Sequence, residues 1–204
     1  MRSATDKACV SFVFYTGMGA QEPLINRITS FWTGRFMHCE IVFVEPGGRN
    51  LACGVWQGEN VFLRHKTFGK DCWVWRTIQL PPQKVARLKA FCKKQADGKI
   101  PFNRSGLFRC ITPFPRPTDG RQWFCSELCI SALQQVGFFP DEVPSAVTPS
   151  YLYDLLGTLD SYANASPLIE QRIAKKTLKM SRTLQKMKIQ TGQKRFLSGY
   201  STRR

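Results

Sequence analysis

Gly120-Arg-Gln-Trp-Phe-Cys125-Ser-Glu-Leu-Cys-Ile-Ser-Ala-Leu133 joins a proline- and glycine-rich stretch to a strongly apolar run that continues to Val136. Gly137 is a suitable residue to follow a helix, so the run is expected to be a buried helix opening at Phe124 or Cys125. The first N–H groups of a helix have no partner within it and favour negative charge. A cysteine placed there has its thiolate stabilised and its pKa lowered. The same N–H groups can receive the oxyanion of an attacked carbonyl. Cys125 is therefore the candidate nucleophile, and the alternative is one more buried thiol. Cys129 lies one turn deeper and lacks both advantages.

A thiolate nucleophile needs a base, and the chain holds two histidines. His38 lies in Phe36-Met-His-Cys-Glu-Ile-Val-Phe-Val44, a pattern that predicts a buried strand over 35–44. On it His38, Glu40, Val42 and Val44 share one face. A core histidine with satisfied hydrogen bonds is the plain alternative, but a partner thiol favours the base. His65, between Arg64 and Lys66, reads as surface. An orienting group is expected on the next strand, Val55-Trp-Gln-Gly-Glu-Asn-Val61, as Gln57, with Glu59 the alternative. Glu40 is expected to be too close along its own strand to reach back to His38.

The surrounding pattern is mixed. Val10–Tyr15 is a buried strand ending at Thr16-Gly17. Leu24, Ile25, Ile28, Phe31 and Trp32 fall on one face of a helix over 21–32. Leu51–Leu63 reads as a strand broken at Gly58, and Cys72–Leu80 as another strand. Pro81-Pro82 opens a helix running to Ala96, and residues 99–122 read as a loop. Thr148-Pro149 starts a short helix as N-cap and N1, running to Leu156. The expected class is α+β, a small antiparallel sheet packed on the Cys125 helix.

Charge is unevenly spread. The net +16 comes mostly from residues 167–204, which hold eleven Lys/Arg against the single acid Glu170. That segment reads as a basic helical extension. Its expected partner is nucleic acid or an anionic membrane, and the alternative is a solvated charged helix. The polar N-terminus Met1-Arg-Ser-Ala-Thr-Asp-Lys7 reads as no secretory signal. Eight cysteines without C-x-x-C spacing read as reduced thiols, neither a disulfide framework nor a zinc site. The expected compartment is reducing, cytoplasmic or within a virion.

The order of a histidine strand, a polar-residue strand, a further strand, a helix, a long loop and then Phe124-Cys-Ser-Glu-Leu128 resembles the circularly permuted NlpC-type papain-like amidases, the YaeF/YiiX group. Their relatives include lecithin–retinol acyltransferase-like proteins and proteins of large DNA viruses. The resemblance covers residues 8–157 and includes Val147-Thr-Pro-Ser-Tyr-Leu152, leaving 158–204 as the basic tail. The family often has Ser-His-Val-Gly/Glu-Ile where this chain has Met37-His-Cys-Glu-Ile41. It implies a permuted papain-like catalytic domain with Cys125 as nucleophile, His38 as base and Gln57 in the third position. It also implies a peptide-like or acyl-ester substrate and chemistry that needs neither metal nor organic cofactor. The implied activity is that of an amidase or peptidase. The alternatives are lipid acyl transfer or phospholipid deacylation on the same fold, and a non-catalytic binding or virion-packaged protein.

Overall fold

Alternation between Val10, Phe12 and Phe14 on one side and Ser11, Val13 and Tyr15 on the other gives the first strand two different faces. A computed structural model of the chain describes residues 8–17, 35–109 and 118–163. Backbone contacts divide the chain into a unit of Met1–Asp160 and a second of Ser161–Arg204, and the fold below is that of the first. The helices expected over 21–32 and in the basic tail lie outside the described residues.

Five strands form one antiparallel sheet: β1 (Ala8–Tyr15), β2 (His38–Val44), β3 (Asn50–Gly54), β4 (Phe62–His65) and β5 (Trp73–Leu80). Their spatial order is β4-β3-β2-β1-β5. The expected α+β class holds. Register places Tyr15 opposite both His38 and Trp73. The break expected at Gly58 is real, and β3 and β4 form a hairpin around it. Gly58 adopts φ 86°, a left-handed turn position that a side chain would strain.

The helices are α1 (Pro82–Asp97), α2 (Arg104–Arg109), α3 (Cys125–Gln134) and α4 (Pro149–Ala163), with a 3₁₀ turn at Pro144–Ala146. The six-residue α2 interrupts the stretch read from sequence as a loop. Its start is held by Asn103, whose Oδ1 accepts the Gly106 N–H at 2.7 Å. The last helix runs seven residues past Leu156, its start capped as expected by Thr148 Oγ1, which accepts the Tyr151 N–H at 3.2 Å.

Every residue of α3 from Cys125 to Leu133 is buried. It packs on the sheet face carrying Phe12, Phe14, Cys39 and Ile41, together with Leu88 of α1 and Leu152 and Leu156 of α4. Each such fully buried aliphatic side chain contributes about 1.5–3 kcal/mol relative to exposure. That holds α3 in place although it also buries Glu127. The Glu127 carboxylate meets its desolvation by accepting the Phe124 N–H at 3.3 Å and the Asn103 amide at 3.2 Å. A further tie is Ser126 Oγ, which donates to the Val147 carbonyl at 2.6 Å and joins the start of α3 to the turn before α4.

Candidate active site

His38 is the first residue of β2, so its ring lies at the end of the sheet, where α3 begins. Its side chain and that of Cys125 lie close enough for each to favour the other's charged form. The imidazole is buried and stacked on Trp56, ring centres 3.8 Å apart and planes 25° from parallel. Its Nε2 lies 3.1 Å from Oε1 of Glu40. A carboxylate can only accept, so Nε2 carries a proton. That leaves Nδ1 to face the thiol and take its proton.

The thiol side is equally ordered. Cys39, next to His38 and on the opposite strand face, donates its Sγ–H to Cys129 Sγ at 3.8 Å. The Cys39 thiol foremost, with its backbone N–H, favours the thiolate of Cys125 and holds that pKa well below an ordinary thiol's. Burial opposes the shift, and the charge and hydrogen bond of His38 add to it. For His38, burial favours the neutral ring. The Cys125 thiolate, by charge and hydrogen bond, and then Glu40 overcome this and raise its pKa to about 9. Both shifts favour a thiolate–imidazolium pair. The N–H groups of Cys125 and Ser126 open α3 with no preceding turn to accept them, which suits them to a developing oxyanion.

The structure does not bring the expected third residue to His38. Gln57 is exposed in the turn at Gln57–Gly58, and Glu59 is exposed beside it, paired with Arg64 at 3.4 Å. The carboxylate hydrogen-bonded to His38 is that of Glu40. The strand ends at Gly54, before Gln57, so the expected regular alternation from Val55 to Val61 does not exist. Glu40 was discounted as a near neighbour on the same strand. Yet residues two apart on a strand share a face about 6.6 Å apart, a gap that a glutamate and an imidazole span together. Space for the carboxylate comes from Gly54 on β3. A Cβ there would lie 2.8 Å from Glu40 Cγ.

Three donors converge on Glu40 Oε1: His38 Nε2, Trp56 Nε1–H at 3.1 Å and Lys66 Nζ at 2.5 Å. Burial raises the Glu40 pKa, but His38 and then Lys66 outweigh it and hold the carboxyl below its ordinary value. Glu40 itself is completely buried. The sequence pattern marks neither Trp56 nor Lys66, although Trp56 stands next to Gln57 in the segment Val55–Val61.

The remaining polar and thiol side chains near these elements have structural places. Glu127 accepts hydrogen bonds at the start of α3, and burial raises its pKa. Cys129 is buried with its sulfur 3.8 Å from that of Cys39, and burial raises its pKa as well. His65 is exposed and meets Glu45 at 2.9 Å. Trp123 is buried and donates its indole N–H to Gln95 at 2.9 Å. The seven described cysteines are free thiols. Among the described residues no group of three or more His, Cys, Asp or Glu could hold a metal ion, and no helix is long and apolar enough to cross a membrane. Comparison with family models, curated proteins and solved structures finds no match.

Proposed function

We propose that the chain is a cysteine hydrolase acting on amide bonds through a Cys125–His38–Glu40 triad, on a permuted papain-like fold. The observation that carries this reading is the contact between His38 and a cysteine opening a buried helix. The Cys125 thiolate attacks the substrate carbonyl carbon, and the carbonyl oxygen takes the electron pair beside the N–H groups at the start of α3. As the tetrahedral adduct collapses, the C–N bond breaks and the His38 imidazolium gives its proton to the departing amine. Water, deprotonated by the now neutral imidazole, then cleaves the thioester and restores the pair. Glu40 keeps Nε2 protonated throughout and fixes the ring plane. The resemblance of Phe124-Cys-Ser-Glu-Leu128 to the permuted family supports Cys125 as the nucleophile.

A second reading is deacylation or transfer of a lipid acyl chain by the same residues. Favouring it, His38 lies among Trp56, Trp73 and Tyr15, on a sheet face that also carries the half-buried Phe68 and the exposed Trp75. The basic segment 167–204 is proposed as a tether to nucleic acid or an anionic membrane. The test is hydrolysis of a panel of peptide amides and acyl esters, with intact-mass detection of a thioester. An adduct on the wild-type chain that is lost in Cys125→Ala supports the reading. Equal turnover by Cys125→Ala removes it.

A further inference from the structure

Lys66 follows β4, and its backbone N–H is anchored by the Asn50 carbonyl at 3.0 Å. From there its side chain enters an aromatic enclosure. The ammonium lies 4.9 Å from the ring centre of Trp73, 5.2 Å from those of Trp56 and Phe68, and 5.8 Å from that of Phe62. The faces of such rings attract a cation while excluding water around it. The ammonium ends on Glu40 Oε1, whose carboxylate is completely buried; its Oε2 has no hydrogen-bond partner among the described residues.

We propose that Lys66 is the positioning residue of this site, keeping Glu40 ionised and aimed at His38 so that the Cys125–His38 ion pair can form. The inference rests on the hydrolase reading above. Its physical basis is a charge count. With the site at rest, Cys125 and Glu40 are anions and His38 and Lys66 are cations, so the chain of four is neutral. Without Lys66 it carries one unbalanced negative charge in a dry place, which favours proton uptake. The titratable groups beside Glu40 on its face of the sheet are His38 on its own strand and Lys66, and the thiols of Cys53 of β3 and Cys129 of α3 feel its charge from the other face. Cys125 faces it through His38. Among the described residues, the cations bonded to Glu40 are therefore Lys66 and protonated His38. An ammonium held by four rings serves better than one in water, because the rings hold it at the carboxylate without competing for its charge.

The test is the pH dependence of Cys125 alkylation by iodoacetamide, followed by peptide mass mapping, which needs no substrate. Removing a nearby cation raises the pKa of each neighbouring acid. Lys66→Met and Lys66→Gln are therefore expected to move the acid limb of the alkylation profile up by about one pH unit or more. Lys66→Arg, which keeps the charge and stacks on the same rings, is expected to return it to the wild-type position. Lys66→Gln retains a hydrogen bond to Glu40 without the charge, so it also serves if the methionine variant fails to fold. An unmoved acid limb in both neutral variants, with alkylation slowed equally at every pH, overturns the role of Lys66 and leaves the hydrolase reading standing. Wild-type Cys125 reacting no faster than the exposed Cys9 overturns the hydrolase reading and this inference with it.

Discussion

Nε2 of His38 lies 3.1 Å from Oε1 of Glu40, two residues further along the same strand. The two side chains are thus carried by one strand and share one side of the sheet, and Trp56, from the segment between β3 and β4, stacks on the imidazole.

Replacing Glu40 tests this relationship first. Glu40→Gln keeps the volume and removes the charge, and is expected to lower kcat/KM by about 10²-fold. Gln57→Ala, which changes an exposed turn residue, is expected to stay within about twofold. The reverse order, measured on any amide or ester the protein turns over, would contradict the assignment of Glu40.

A steric test comes from β3. Gly54→Ala places a methyl group 2.8 Å from Glu40 Cγ, with a Phe62 ring carbon at 3.0 Å on the other side. The carboxylate has to shift, and it is the part that touches His38. Activity is expected to fall about tenfold or more, with a stability loss of about 1–3 kcal/mol from overpacking. Full activity in a folded Gly54→Ala protein would mean that Glu40 tolerates displacement.

Much of this architecture was legible from residue patterns. A β-branched and aromatic run ending at Thr16-Gly17 located β1, the apolar pattern around His38 located β2, and the uninterrupted apolar run after Phe124 located α3 and the cysteine that opens it. Thr148-Pro149 marked the start of α4 because a hydroxyl cap and a ring-fixed φ leave little choice. The triad's third member was harder to read. Whether two side chains on one strand face reach each other depends on what stands opposite, here a glycine, and cross-strand register is absent from local pattern. Lys66 follows a four-residue strand and gives no periodic signal of burial. Its role emerges only when four rings from different segments meet around it. The short α2 was hidden because a lone Asn103 cap weighs little against the surrounding prolines.

Stability should track the proton count of the Cys125–His38 pair. Wherever Cys125 stays a thiolate below the unfolded imidazole's ~6.5, the unfolded chain binds one proton more than the native pair, so stability falls as pH drops. The lowered pKa of Glu40 adds to this acid loss. Between ~6.5 and ~8.5 native pair and unfolded chain each hold one proton, and the slope from this pair vanishes. Above that window stability falls as pH rises through the native His38 value of about 9. Urea midpoints measured across pH check the curve, and a Cys125→Ala chain that reproduces it unchanged would argue against the ion pair.

Cys129 separates packing from chemistry. It lies one turn below Cys125, fully buried and 3.8 Å from the Cys39 sulfur. Cys129→Ala is expected to lower stability by about 1–2 kcal/mol through the void it leaves, with kcat/KM nearly unchanged. A large loss of activity at full stability would place Cys129 in the reaction.

The basic segment yields a prediction independent of the triad. Deleting residues 167–204, with eleven basic residues and one acid, is expected to remove most binding to nucleic acid or anionic vesicles. That binding should be indifferent to sequence and weaken steeply with salt, as counterion release requires. Filter binding and vesicle sedimentation across ionic strength measure it. Retained binding by the truncated chain would assign it elsewhere.

The central claim is that Cys125 is an activated thiolate held by His38, and site-resolved labelling tests it most directly. The folded protein is treated with limiting iodoacetamide at neutral pH, and modification at each of the eight cysteines is followed by peptide mass mapping. The account predicts that Cys125 reacts first, ahead of the exposed Cys9, and that His38→Ala abolishes this preference while leaving Cys9 unchanged. Labelling that follows exposure alone, with Cys9 foremost and Cys125 as inert as Cys129, would contradict it.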